Sequence, residues 1–164
     1  VMVGETRLSL LIYAATPPVF DGPEDRNGRR NADETLFWTR LLDGALPLAP
    51  PQAPFVILGQ PNLDPLDGDG TPDALRALLA DPRLSDPRPR GQSGHTDPGH
   101  AGDPALDTMR LKDGSGLRLD MILPSADLTV TGAGVLWPAP DDPLAATVEA
   151  ASDHRAVWVD IALP

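Results

Sequence analysis

A mixed α/β or α+β layer fold is predicted for this chain of 164 residues. Three observations predict it. Apolar strand-like runs alternate with helical stripes through the first half, and three further strand-like runs close the sequence. The 20 prolines and 15 glycines, about a fifth of the residues, call for short elements joined by turn-rich loops. The length suits one domain, 1–164, large enough to bury a core.

Residues Thr6 to Tyr13 pass from loose alternation into a continuous apolar run, which predicts a strand buried on both faces. Thr16-Pro17-Pro18 ends it, and Asp21 to Asn31 is polar and glycine-bearing, a loop. A helix follows, capped by Asn31 or Asp33, with Leu36, Phe37, Arg40, Leu41 and Leu42 as its stripe. Pro47 to Pro54 is a stiff connector. Phe55 to Leu58 is a fully apolar strand ending at Gly59. Asn62 to Gly70 forms a turn-dense loop, and Pro72 opens a second helix with Leu75, Leu78 and Leu79 turned inward.

Residues 81–107 are almost all Pro, Gly, Asp, Arg, Ser and His, a loop far longer than most connections. The remaining strands are Leu117 to Leu123, Leu128 to Trp137 and Ala156 to Ala162. No internal repeat is present, and no G-x-G-x-x-G, P-loop, nucleophile elbow or H-E-x-x-H occurs.

The formal net charge is −11, and the 13 basic residues are twelve arginines and Lys112. Such a surface repels phosphate backbones, so general nucleic-acid binding is not expected. Recognition of phosphate must be local and built from arginine forks. Arg26, Arg29 and Arg30 are the candidates, although Asp21, Glu24 and Asp25 make an ordinary balanced charged loop an equal reading. The absence of cysteine excludes disulfides and thiolate zinc. No apolar run reaches the roughly 20 residues of a membrane span, so no membrane partner is expected. The opening VMVGETRLSLLIYAA reads as a strand rather than a leader. A start on Val1 suggests residues upstream.

Three segments carry candidate chemistry. Ser152-Asp153-His154 places a carboxylate beside an imidazole at a strand mouth, a combination suited to a metal and a reacting phosphate. Read alone, it is more often a surface turn. Asp120 interrupts an apolar run in Arg118 to Ser125; burying it requires a partner such as histidine, unless it faces outward. Gly59-Gln60-Pro61-Asn62 empties an apolar strand into a polar tip, where α/β sheets place ligands or where side chains satisfy the turn. His95 and His100, with Asp97 and Asp103, sit in a Gly/Pro loop without helical register, so convergence on a metal is not expected. The Asp64, Asp67, Asp69 and Asp73 spacing fails the EF-hand pattern and reads as a turn.

Taken in order, L-G-x-x-N, R-L-D-x-I-L-x-S and S-D-H before the final strand resemble the endonuclease/exonuclease/phosphatase family, which includes DNase-I-like nucleases. The segments T-P-P-V-F-D-G-P-E-D-R-N-G-R-R-N and D-P-x-D-G-D-G look like a bacterial branch of it. The resemblance covers the second half of the family's domain. It implies half of a four-layer α/β sandwich, with a mixed, mostly antiparallel sheet and flanking helices. It further implies phosphoester hydrolysis with Mg2+ or a similar divalent cation. His154 would contact the scissile phosphate, Asp120 would orient His154, Asn62 would steady phosphate or water, and Asp153 would ligate metal.

Three departures imply weakened catalysis. Gln60 stands where the family writes Asp, Ala14 where it commonly carries His, and the metal-binding glutamate belongs to the half not represented. A protein partner covering or supplying the missing half of the sheet is the alternative role implied. The branch resemblance also implies export, to a bacterial periplasm or the extracellular space.

Overall fold

The computed structural model describes residues 1–163. A small hairpin, β1 (Met2–Val3) with β2 (Thr6–Arg7), leads into β3 (Ser9–Ala14). The run predicts burial on both faces, but only one is covered: Ser9, Leu11 and Tyr13 turn inward, while Ile12 is 69% exposed. The reason is position, because β3 is an edge strand with a helix on one side only.

Helix α1 (Arg26–Leu42) begins five residues before Asn31, with Asp25 as its N-cap residue in the left-handed region. The segment holding Arg26, Arg29 and Arg30 is therefore helical rather than a loop. Asn31 does not cap the helix. It lies on the buried stripe Asn31, Thr35, Trp38, Leu41 and Leu42, and Phe37 and Arg40 face solvent. Two polar residues at the head of that stripe hid its period in the sequence. Asn31 is 1% exposed, and its amide donates to the carbonyls of Thr16 and Pro61 at 2.8 and 2.7 Å. It thereby ties together the chain segments leaving two strands.

The second of these strands is β4 (Phe55–Gln60), parallel to β3 in the register Ser9↔Phe55 to Ala14↔Gln60, with α1 as the crossover. Gly59 (φ 146°) permits this pairing at its polar end, since a Cβ there would lie 1.9 Å from the Tyr13 carbonyl oxygen. Helix α2 (Asp73–Leu79) follows the turn-dense loop. Its Leu75 and Leu78 are 0% exposed, each burial stabilising the fold by roughly 1.5–3 kcal/mol. Asp64 and Asp67 serve that loop as acceptors of backbone N–H groups: Asp64 from Leu66, Asp67 and Arg118, and Asp67 from Ala101 and Gly102.

The long loop is pinned rather than loose. It contains a 3-10 turn at Pro104–Leu106, and Arg118 grips Asp86 through two hydrogen bonds of 2.9 and 2.5 Å. The single strand predicted over Leu117 to Leu123 is split. Its start is β6 (Gly116–Leu117), paired with β5 (Met109–Arg110), and its end is β7 (Met121–Pro124), antiparallel to β4. Arg118 to Asp120 form the break between them.

The chain closes with β8 (Thr129–Val135), helix α3 (Ala145–Ala151) and β9 (Val157–Ala162), with β8 and β9 antiparallel. Helix α3 is missing from the sequence prediction because it buries no residue and so carries no apolar stripe.

The fold is α/β, as predicted. Helices α1 and α2 cover one face of the β3-β4-β7 sheet, with Trp38, Leu41, Ile57, Leu75, Leu78 and Leu123 at the core. On the other face Leu8, Val56 and Leu128 form a smaller core joined by Ile122 and Ile161.

Replacing Asn31 by Ala removes the amide donor from the buried Pro61 carbonyl and the part-buried Thr16 carbonyl and is expected to cost about 1–3 kcal/mol in urea unfolding. A second prediction concerns Asp81, whose carboxylate accepts hydrogen bonds of 2.8 and 2.6 Å from Arg83. Those bonds hold its carboxyl below the usual 3.8, against an opposing effect of burial. The stabilisation is present above that pH and lost as pH falls through the lower folded value. Asp81→Asn should therefore be less stable than the parent near neutrality, with the gap closing below about pH 4 in an unfolding titration.

Candidate active site

Strand β4 delivers Gln60 to the end of the sheet, next to Ala14 of β3. Two residues on, Asn62 adopts a left-handed conformation (φ 52°), and its amide donates to the Ala15 carbonyl at 2.7 Å. Asn62 thus joins the two strand ends, and its backbone N–H points to the Leu119 carbonyl at 3.4 Å.

Asp120 and His154 arrive from the other side. Asp120 follows Leu119 in the break before β7, and His154 precedes β9, bridged to Met109 of β5. The His154 Nδ1 lies 2.8 Å from Asp120 Oδ2. The Gln60 amide nitrogen is 3.0 Å from Nδ1 and 3.2 Å from Nε2. With Nδ1–H donating to the carboxylate, Nε2 presents a lone pair to the amide. Both side chains are partly open to solvent, His154 at 30% and Asp120 at 20%.

Thr108 and Arg155, neither of them singled out from the sequence, hold this pair. The Thr108 hydroxyl donates to Asp120 Oδ2 at 2.8 Å and accepts the N–H groups of Leu119 and Asp120. Arg155 is 3% exposed, bonds the Ser152 carbonyl and Glu149 of α3, and places its guanidinium 4.8 Å from the Trp137 ring centroid. A buried arginine next to S-D-H was the available signal, but adjacency alone could not reveal burial.

Asp153 is exposed and opens onto a neighbouring cavity of about 720 Å³, lined also by His95, Arg110, Lys112 and Glu149. Among the described residues no group of three histidine or carboxylate donors forms around it. The three arginines at the start of α1 stand at the same end of the sheet as Gln60 but are committed locally. Arg26 lies 3.8 Å from Glu24, Arg29 reaches the Asp25 carbonyl at 3.3 Å, and Arg30 bonds Glu34 at 2.8 Å. Glu34 in turn accepts the Thr16 N–H at 2.6 Å. Burial opposes its ionisation, yet Thr16 and Arg30 outweigh that effect and hold its carboxyl below the usual range.

The long loop does bring donors together, but around one histidine: His100 meets Asp97 alone and Asp103 pairs with Arg90. His95, Asp97 and Asp107 bring one donor atom each within 4.8 Å of one another, because the loop folds back on the β5-β6 hairpin. His95 Nε2 lies 2.9 Å from Asp107 Oδ2, and Ser93 Oγ lies 2.5 Å from the other ring nitrogen. Burial, with Asp64 and Asp97 nearby, pushes the Asp107 carboxyl up to about 6, although the His95 contact works the other way.

Comparison with protein-family models matches residues 4–154 to the endonuclease/exonuclease/phosphatase family. A comparison with curated proteins gives no match. The family is generally dependent on a divalent metal. Because the match runs from the first hairpin to His154 itself, the chain belongs to the endonuclease/exonuclease/phosphatase family and carries a phosphoesterase-type hydrolase domain.

Proposed function

We propose that this domain acts on a phosphoester through His154, with Asp120 orienting the ring, and that its hydrolysis is weakened by Gln60. The observation that carries the reading is the 2.8 Å contact between His154 Nδ1 and Asp120, with the Gln60 amide against the same imidazole. A carboxylate in place of Gln60 would accept a proton from water or from the ring. The amide nitrogen donates instead, so the base of the reaction is lost while the phosphate-facing imidazole is kept. Asn62 steadies the turn from which a phosphate oxygen would be approached. Arg26, Arg29 and Arg30 are the local cations available for a phosphate, once released from their acidic neighbours.

A divalent cation such as Mg2+ supplies charge neutralisation in this chemistry when bound. Asp153 would contribute a single carboxylate to it, and the remaining ligands would have to come from outside these residues.

The experiment is hydrolysis of a chromogenic phosphodiester and a phosphomonoester with and without Mg2+. Slow, Mg2+-dependent release is expected, falling to background in His154→Ala. Gln60→Asp should raise it by about 10- to 1,000-fold if the missing carboxylate is what limits the rate. Equal release from the parent and His154→Ala would remove the reading.

One observation favours a second role as a binding subunit. The uncovered side of β3 shows Leu10 and Ile12, at 42% and 69% exposure, on an edge strand. An apolar edge face of this kind suits a polypeptide that completes the sheet. Association in sedimentation, abolished by Ile12→Asp, is expected on this reading. Monomeric behaviour without binding of an apolar dye would count against it.

A further inference from the structure

We propose that His95, Asp97, Asp107 and His100 form a zinc-class divalent cation site, separate from the His154 rim, that clamps the long loop onto the β5-β6 hairpin. The donors are two imidazoles and two carboxylates, the borderline set that suits zinc and related transition ions rather than calcium or magnesium.

Geometry is the first support. His95 Nε2 lies 2.9 Å from Asp107 Oδ2 and 3.9 Å from Asp97 Oδ2, and His100 Nδ1 lies 3.6 Å from Asp97 Oδ2. Four ligands at zinc bond lengths lie ~3.3 Å apart along a tetrahedron's edges. His95, Asp97 and Asp107 each bring a donor atom within 4.8 Å of the other two, and His100, which meets the group only at Asp97, would turn inward to complete the shell.

The second support is charge. The Asp97 and Asp107 side chains are each only 9% exposed, and histidines are their only ion-pair partners among the described residues. Among the described residues no arginine or lysine pairs with them, although arginines pair with Asp43, Asp81, Asp86 and Asp103 elsewhere. Two mostly buried carboxylates without a guanidinium or ammonium partner make a site that a cation would satisfy.

The third is steric and independent of both. A Cβ on Gly116 would fall 2.4 Å from Asp107 Oδ2 and 2.8 Å from His95 Nε2. The absence of a side chain there keeps the space at the donor atoms free, while the Gly116 N–H holds Asp97 Oδ2 at 2.7 Å. The His95 ring is fixed by stacking on Trp137, with centroids 4.6 Å apart, and by Ser93 at its other nitrogen. An outer partner of this sort orients a metal-binding imidazole. The 720 Å³ cavity reaches Ser93 and His95 and gives an ion its entry path.

The consequence reaches the other site through the chain. Asp107 immediately precedes Thr108, whose hydroxyl holds Asp120. A cation at Asp107 would fix that hydroxyl as a positioning element without touching any reacting group.

The test is titration of Zn2+ into the chelator-stripped full chain, followed by calorimetry and thermal unfolding. One equivalent bound and a raised Tm are expected. His95→Ala and Asp107→Asn should each weaken binding by at least ~10-fold, and His154→Ala should bind as the parent does. Circular dichroism identifies any variant that fails to fold. In that case His100→Gln and Asp97→Asn, at the more open end, carry the comparison and should show the same loss. The assignment is overturned if the parent takes up no zinc, if folded His95→Ala and Asp107→Asn bind it undiminished, or if the loss follows His154→Ala. An equal response to Mg2+ would overturn the zinc-class assignment.

Discussion

The hydroxyl of Thr108 is the point on which the site depends. It is buried at 2% exposure and uses its full capacity, donating to Asp120 and accepting from the N–H groups of Leu119 and Asp120. The same residue's carbonyl accepts the Arg155 N–H, and its N–H donates to the Leu117 carbonyl. Thr108 therefore holds the break between β6 and β7 and the segment carrying His154 in one network. Asp120 and His154 are 34 residues apart in sequence, and they meet because both are fixed to this one side chain and its backbone.

The opposite half of the rim is fixed by packing rather than by a hub. Strands β3 and β4 are parallel, so their polar ends lie side by side, and Gly59 lets the backbones approach where Gln60 begins. Asn31 of α1 and Asn62 each bond a carbonyl leaving β3, at Thr16 and Ala15, and Asn31 also bonds Pro61. Unsatisfied carbonyls at a buried strand end would be costly, and these amides remove that cost. The Gln60 side chain then projects toward an imidazole delivered by unrelated elements.

Electrostatics separate the two halves of the acidic surface. Arginines neutralise carboxylates along α1 and the first part of the long loop, and Arg118 with Asp86 locks that loop against the sheet. The second part of the loop is different, because among the described residues the ion-pair partners of Asp97 and Asp107 are imidazoles. The uncovered side of β3 adds an apolar surface to a chain of net charge −11, so its surface is not uniformly repulsive to other proteins.

The sequence by itself determined the α/β class, the apolar strand β4, the α2 leucines and the family, because these rest on local periodicity and short motifs. It misplaced the start of α1 because buried Asn31 and Thr35 look like surface residues until a neighbouring strand end needs their hydrogen bonds. It missed α3, which buries nothing and leaves no stripe. Only tertiary structure decided that β3 is bare on one face, since exposure depends on what packs there and not on the strand's own residues. Tertiary structure also brought Asp107, ten residues on from Asp97, against His95 and Asp97. Convergence in a loop comes from where the chain folds back, and no spacing along the sequence encodes that return.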